Sequence, residues 1–314
     1  MQDTSAAIWR VGAIMNEPLA EVLRFAAWYI ASGAEELVIC FDNPEDPAIG
    51  LLADHPRITP VPCTPAFWAD LGLGAGDAFV TRQNAALTWI YQQVDEGWLL
   101  NVDADEFLFF EGRSIGAALA AVSPEALSVR ITTAERLLAP SEPAQTLFRR
   151  PMDYATRKAV YGPDAELFGP RRAGLVGHPQ GKSAVRAGVS GLRLRQHWPR
   201  WERGEEPQEQ ILDHKDGAHL LHMIGADYAI WRGKLEWRCK SRGFTNSLTE
   251  AIEAALADPA GETRLRDLFD RLHSADAERL ARLEAAEALL RLRWDVDALV
   301  EEVFGLSPQA LARL

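Results

Sequence analysis

Cysteine is scarce in this chain. The three present in 314 residues, Cys40, Cys63 and Cys239, show neither a CxxC pair nor Cys/His spacing. That excludes a zinc site built on cysteine and points to reduced thiols in a cytoplasmic protein. Cys40 lies in an apolar run, where a free thiol acts as a small hydrophobe, and no local histidine is in place to activate a nucleophile. Positive charge is also short: 33 basic against 45 acidic residues leave a net charge of −12. A nucleic-acid surface needs a basic footprint to release counterions, so that class is excluded. Long apolar runs are missing too. No uncharged stretch exceeds about twelve residues, against the ~20 of a membrane-spanning helix. The start, Met1-Gln2-Asp3-Thr4, lacks the basic flank and apolar segment of a signal peptide. No span of the membrane is therefore expected, while peripheral association stays open.

What is present is a globular composition, 47% hydrophobic, long enough for one large α/β domain with an appendage or for two modest domains. Residues 8–15 read as a strand running into Asn16-Glu17-Pro18, where Asn at a cap, an early Glu and a Pro open a helix. Leu19, Val22, Leu23, Ala26, Tyr29 and Ile30 recur at helical spacing until Gly33. A second apolar run, Leu37 to Phe41, stops at Asp42-Asn43-Pro44, and a third lies near 57–62. Strand, helix, strand in this order implies parallel pairing through a right-handed crossover. Residues 62–76, rich in Pro and Gly, read as a flexible loop, and a helix follows from Asp77 to about Val94. A helix near 115–122 and a strand near 126–132 come next, whereas 137–180 show no clear period. From about Asp227 the leucines Leu265, Leu268, Leu272, Leu280, Leu283, Leu289, Leu290 and Leu292 read as helical throughout. The chain thus divides into an α/β domain over 1–226 and a helical region over 227–314.

The most informative stretch is Trp98-Leu99-Leu100-Asn101-Val102-Asp103-Ala104-Asp105-Glu106-Phe107, a strand that ends in acids. On an extended backbone Asp103 and Asp105 leave on one face while Val102 and Ala104 turn to the core. Two carboxylates so placed repel unless a cation offsets them, and they suit Mg²⁺ or Mn²⁺ bound together with substrate phosphates. In an open parallel sheet ligands bind beyond the carboxyl ends of the strands. Asn16-Glu17, Asp42-Asn43 and Asp103-Asp105-Glu106 all fall at such ends. Singly, Asn16 reads equally well as a helix cap and Asp42-Asn43 as a turn.

These segments, with Thr81-Arg82-Gln83-Asn84 on a helix and Phe107-Leu108 after the acids, resemble glycosyltransferase family 2. The likeness is closest to a bacterial family 2-like subgroup whose aspartate motif extends into Asp-Glu-Phe. Gly181-Lys182-Ser183-Ala184-Val185-Arg186 and Leu220-Leu221-His222-Met223 are similar to the same subgroup. The resemblance covers about residues 8–240. It implies a GT-A fold, a Rossmann-type, mostly parallel sheet flanked by helices, with a C-terminal helical extension. It implies transfer of a sugar from a nucleotide-diphosphate donor, UDP-linked above all, to a hydroxyl of a saccharide or other acceptor, with inversion. On that likeness Asp105 ligates the metal, Asp103 binds the ribose or helps hold the ion, and Asn16, Glu17 and Asp42 line the nucleoside pocket. Arg82 faces the base or phosphates, Lys182 and Arg186 offset phosphate charge, and His222 joins the metal shell, with His219 and His197 as substitutes. No catalytic base aligns. Asp164 and Glu166, in the segment where acceptor loops would sit, are the candidates, with Asp213 and Asp216 behind them.

Three alternatives compete. A haloacid dehalogenase-like phosphatase needs a Thr two residues after the second Asp, where this chain has Phe107. A nucleotidyltransferase has similar metal needs but carries a Gly-rich basic loop after its first strand, where Asn16-Glu17-Pro18 stand here. A catalytically inactive nucleotide-sugar-binding module would dock a partner on its C-terminal leucines, which a buried stripe would disfavour.

Overall fold

The computed structural model describes residues 6–142, 144–201, 208–241 and 243–314. The opening residues read above for a leader lie outside the described residues. In chain order the elements are β1 (Trp9–Met15), α1 (Leu19–Ala31), β2 (Glu36–Phe41), α2 (Pro47–Ala53), β3 (Ile58–Pro62), α3 (Pro65–Asp70), α4 (Phe79–Gln92), β4 (Trp98–Asn101), β5 (Glu106–Phe110), α5 (Ile115–Ala120) and β6 (Ser128–Ile131). There follow β7 (Thr133–Leu137), β8 (Thr146–Arg149), α6 (Tyr154–Tyr161), a 3₁₀ helix (Gly162–Phe168), β9 (Lys182–Arg186), β10 (Leu192–Arg193), β11 (Arg200–Trp201), β12 (Glu209–Leu212) and β13 (Ala218–His222). The remainder is α7 (Tyr228–Gly233), α8 (Leu235–Lys240), α9 (Asn246–Leu256), α10 (Glu262–His273), α11 (Ala277–Ala285), β14 (Leu289–Leu292), α12 (Val296–Phe304) and α13 (Pro308–Leu311). Among the described residues no helix is long and apolar enough to cross a membrane.

The chain is α/β and packs as two units interleaved along the sequence. The first comprises 1–132, 180–220 and 295–314; the second comprises 133–179 and 221–294. The packing seams thus fall elsewhere than at 226/227, and the segment 295–314 belongs with the first unit.

The first unit is built on a seven-stranded sheet in the order β12-β6-β9-β4-β1-β2-β3. β1 pairs in parallel with β2 and β4, β2 with β3, and β12 with β6, while β9 runs antiparallel between β4 and β6. β1 and β2 are apolar on both faces because helices cover both, as a parallel sheet requires. On one face Ile14, Val38, Cys40 and Leu99 pack with Ala86, Leu87 and Ile90 of α4 and with Trp68 of α3. Elsewhere in the unit Val22, Leu23, Phe25 and Ala26 of α1 are fully buried. α12 packs along α1, where Asp297 accepts from Arg24 at 2.7 Å.

Two local expectations change. Residues 62–76 hold α3, opened by the Thr64 hydroxyl accepting from the Phe67 amide with Pro65 in the first turn. A cap-and-proline start read as loop composition, and the helix it opens exists to bury Trp68, which is 1% exposed. The Asn16 side chain does not cap α1, whose cap position is Pro18.

In the second unit β7, β8 and β14 form antiparallel pairs, and α6 to α11 contribute a core around Tyr161, Trp231, Leu248, Leu268 and Leu272. Leu280 and Leu283 lie buried in that core. The helical reading fails at Leu289, Leu290 and Leu292, which form β14, with Leu290 opposite Phe148. An apolar run of four residues is too short for periodicity to separate strand from helix.

Candidate functional site

Because β1, β2 and β4 are parallel, the residues that follow them meet at one edge of the first unit's sheet. β1 is the strand from which the chain departs in both lateral directions, to β2 and to β4, which makes its carboxyl end a switch point. Asn16 is exposed and Glu17 half-buried just past this strand. Asp42 follows β2, its amide donating to the Met15 carbonyl at 2.9 Å. Asn43 behaves as a turn residue, its side chain accepting from the Glu45 amide at 3.1 Å.

The acidic segment is not extended. β4 ends at Asn101, and the Glu106 amide donates to the Asp103 carbonyl at 3.1 Å, so Asp103 to Glu106 form a tight turn before β5. The same-face alternation expected for Asp103 and Asp105 therefore does not apply. Val102 and Ala104 are buried as expected, and Asp103 and Asp105 are both half-buried. The turn is fixed from behind by Tyr29 of α1, whose hydroxyl donates to the Glu106 carbonyl at 2.9 Å and accepts from the Leu108 amide at 3.1 Å.

Asp103 is held on both carboxylate oxygens. Oδ1 accepts from Gln83 Nε2 at 2.8 Å, and Oδ2 accepts from the Lys182 ammonium at 2.8 Å. Glu106 completes the cluster: its Oε2 accepts from the Asp103 amide at 2.8 Å and lies 3.5 Å from Lys182 Nζ. Lys182 is fully buried, whereas the Asp103 side chain is 38% exposed. Burial alone would lower the lysine pKa, but Asp103 and then Glu106 outweigh it and hold the ammonium above its ordinary value. The ammonium reaches this point because β9 runs antiparallel to β4, Leu100 opposite Ala184, with Lys182 at the first position of the strand. Gly181 makes that approach possible. It sits at φ +72°, and a Cβ there would collide with the Ile131 carbonyl.

Beside this cluster stands an aromatic and cationic wall. Arg82, in the first turn of α4, pairs with Asp42, donates to the Asp77 carbonyl at 3.1 Å, and stacks 5.2 Å from the Trp68 ring and 5.8 Å from Phe79. Gln83 continues outward, its Oε1 accepting from Gln196 at 2.8 Å. Asn101 donates to the Arg195 carbonyl at 2.5 Å and ties down the same loop. The sequence reading left Gln83, Gln196 and Asn101 without roles. Gln83 was detectable as a polar residue within the apolar stripe Phe79, Ala86, Leu87 and Ile90, where it is 3% exposed. Gln196 carries no such signal, because it reaches the site from a loop 113 positions away.

The other candidates lie as follows. In the first unit His197 Nδ1 contacts the Gly181 carbonyl at 3.0 Å, and buried His219 pairs with Glu111 at 2.6 Å. Arg186 donates to backbone carbonyls of 122, 123 and 126 and stacks 4.2 Å from Trp98, so it is spent inside the fold. Asp213 and Asp216 cap one another in a 3₁₀ turn. In the second unit His222 lies 3.8 Å from Glu135, a fully buried carboxylate that also accepts from Arg149 at 2.9 Å and from the Val176 amide at 2.8 Å. Burial would raise the Glu135 pKa, but Arg149 and His222 together hold it well below the usual carboxylate range. Asp164 is clasped by Arg271 at 2.8 Å and Arg279 at 3.1 Å, a structural ion pair, while Glu166 is exposed.

No protein-family model matches the chain, and no curated protein matches it.

Proposed function

We propose that the chain is a GT-A-type glycosyltransferase that moves a sugar from a nucleotide-diphosphate donor, a UDP-sugar in the first instance, to a hydroxyl of a saccharide or other acceptor. The observation that carries this reading is the half-exposed Asp103 carboxylate at the central rim, locked by a buried ammonium and a glutamine beside the Arg82, Trp68 and Phe79 wall. The strand order supports it, with β1 at the switch point and one antiparallel strand, β9, set into an otherwise parallel sheet.

In this reading Arg82 and the aromatic pair receive the base, with Asp42 holding the guanidinium in its plane. Asp103, paired with Lys182, accepts a hydrogen bond from a ribose hydroxyl through the lone pairs that its two protein donors leave open. Asn16, not used as a cap, is available at the same rim.

The expected Mn²⁺ or Mg²⁺ clamp between Asp103 and Asp105 does not fit this arrangement. The Lys182 ammonium, 2.8 Å from Asp103 Oδ2, already supplies the compensating positive charge and would repel a divalent ion beside it, and the described residues contain no group of three acidic, histidine or cysteine side chains arranged for an ion. Nucleotide binding then rests on the chain's own groups.

Calorimetric titration with UDP tests the proposal. We expect saturable binding that changes by less than about fivefold between Mn²⁺ and EDTA. Arg82→Ala and Asp103→Asn should each weaken it about tenfold or more, a loss of at least 1.4 kcal/mol. Absence of UDP binding in both buffers would overturn the reading. Assay of released UDP from UDP-sugars then separates transferase from binding module, and pyrophosphate release from a nucleoside triphosphate would favour a nucleotidyltransferase.

A further inference from the structure

Within the first unit, the chain between β9 and β12 crosses the ends of the rim strands one after another. At β4 the Asn101 side chain donates to the Arg195 carbonyl at 2.5 Å. One residue on, Gln196 donates to Gln83 of α4, whose own amide holds Asp103. At β9 the His197 carbonyl accepts from the Ser183 hydroxyl at 2.8 Å, and the His197 ring Nδ1 lies 3.0 Å from the Gly181 carbonyl. At β6 the Trp198 ring meets Arg130, whose guanidinium carbon is 5.4 Å from the ring centroid. β4 and β6 both run antiparallel to β9, so Arg130, next to last in β6, stands at the same edge of the sheet as Asp103. The stretch Arg195 to Trp198 is thus tied across three strand ends, with Trp198 at the last of them.

The indole is held in place yet left open. Arg130 is pinned by Glu209 at 2.8 Å and by Gln180 at 3.3 Å, which gives the ring a fixed cationic backing. Pro199, buried next in sequence, restricts the Trp198 backbone. Trp198 is nonetheless 40% exposed. A single exposed tryptophan is ordinary on a protein surface, and it is the position of this one that gives it meaning. In the order β6-β9-β4-β1-β2, β4 has β6 two strands away on one side and β2 two strands away on the other, about 10 Å in each direction at the usual strand spacing. Asp42, which holds Arg82 at the base wall, follows β2, and Asp103, the ribose group, follows β4. A nucleotide diphosphate laid from β2 to β4 sends its phosphates and its sugar on toward β9 and β6. Trp198 stands on that side, where an acceptor has to meet the sugar.

We propose that Trp198 is the platform on which the acceptor stacks, and that the acceptor is therefore a saccharide. A pyranose carries C–H groups across its face and hydroxyls around its edge, so it can lie on the electron-rich face of an indole while its hydroxyls stay hydrated. This role rests on the transferase reading, and the test separates the two. Saturation-transfer difference NMR is run on the full chain with UDP present, with methyl β-D-glucoside, methyl β-D-galactoside and methyl α-D-mannoside as probes. At least one glycoside should receive saturation at its ring protons. Trp198→Ala should weaken its binding about fivefold or more, whereas Trp198→Phe, which keeps an aromatic face, should retain it. UDP affinity, measured by calorimetry, should stay within about twofold of the parent in both variants, which also shows that they are folded. No glycoside bound by a parent that binds UDP, glycoside binding unchanged in Trp198→Ala, or UDP affinity falling in step with glycoside binding would overturn the platform and leave the transferase reading standing. A parent that binds no UDP would overturn both.

Discussion

Lys182 is the residue on which the rim depends most heavily. Removing an ammonium that two carboxylates share leaves their charge uncompensated at a part-buried position, a loss of about 3–5 kcal/mol. Lys182→Met should therefore unfold at markedly lower urea concentration than the parent at pH 7. The sign of the pH dependence follows from the raised lysine pKa. The contribution is present in full below the unfolded-state value near 10.5 and is lost as pH rises through the folded value. The gap between variant and parent should thus close only in strong alkali; a gap that closed on acidifying to pH 6 would contradict the assignment. His273 behaves oppositely. Burial, then Arg149, pushes its pKa well below the ordinary value, and among the described residues neither ring nitrogen has a hydrogen-bond partner. The unfolded chain binds a proton below about pH 6.5 that the folded chain refuses, so stability is complete above that value and falls by up to about 1.4 kcal/mol per pH unit below it. His273→Leu should flatten that acid limb relative to the parent in denaturation series between pH 7 and 5.

At the level of elements, β9 enters the sheet only because residue 181 has no side chain. Gly181→Ala adds left-handed backbone strain to a collision with the Ile131 carbonyl, costing about 2–4 kcal/mol. The same change at Gly191, also at positive φ but in open space, should cost less, a contrast that thermal melts of the two variants will measure. The parallel strands and their helices could be read from the sequence because both period and punctuation agreed there: β1, β2, α1 and α4 fall close to where the apolar spacing set them. The rim acids could be read as well, since a strand-end carboxylate is local information. Their partner was harder to read. Lys182 is 79 positions from Asp103, and only the antiparallel insertion of β9 brings them together. The turn at 103–106 was hidden for another reason: it has no Gly or Pro to announce it and is held by a hydroxyl on α1. In 137–180 the elements are too short to establish a period, so β8 and α6 passed as irregular chain.

At the level of the whole molecule, three separate stretches of sequence make the first unit. Val296, Val300 and Leu311 of the stretch 295–314 are buried, and Asp297 holds Arg24 of α1. Deleting 295–314 should therefore lower the stability of the first unit, although the deletion lies far along the chain from the rim acids. Hydrogen exchange resolved by segment should show α1 and β1 deprotected while α9 and α10 keep their protection. Equal deprotection of both units would show instead that they unfold as one body. For the same reason a fragment ending at 226 lacks both the α12 cover and most of the second core, and its far-ultraviolet spectrum should resemble that of an unfolded chain.

The return of α12 to α1 also orders events on the ribosome. The helix that opens the first unit leaves the exit tunnel early with one apolar flank bare, and the segment that covers it is synthesised roughly 270 residues later. Throughout that interval the nascent chain must keep the flank from associating elsewhere, so ribosome-associated chaperones should engage α1 for longer than α9 or α10, and slowing translation at the codon for Asp295 should increase aggregation more than slowing it at the codon for Pro140.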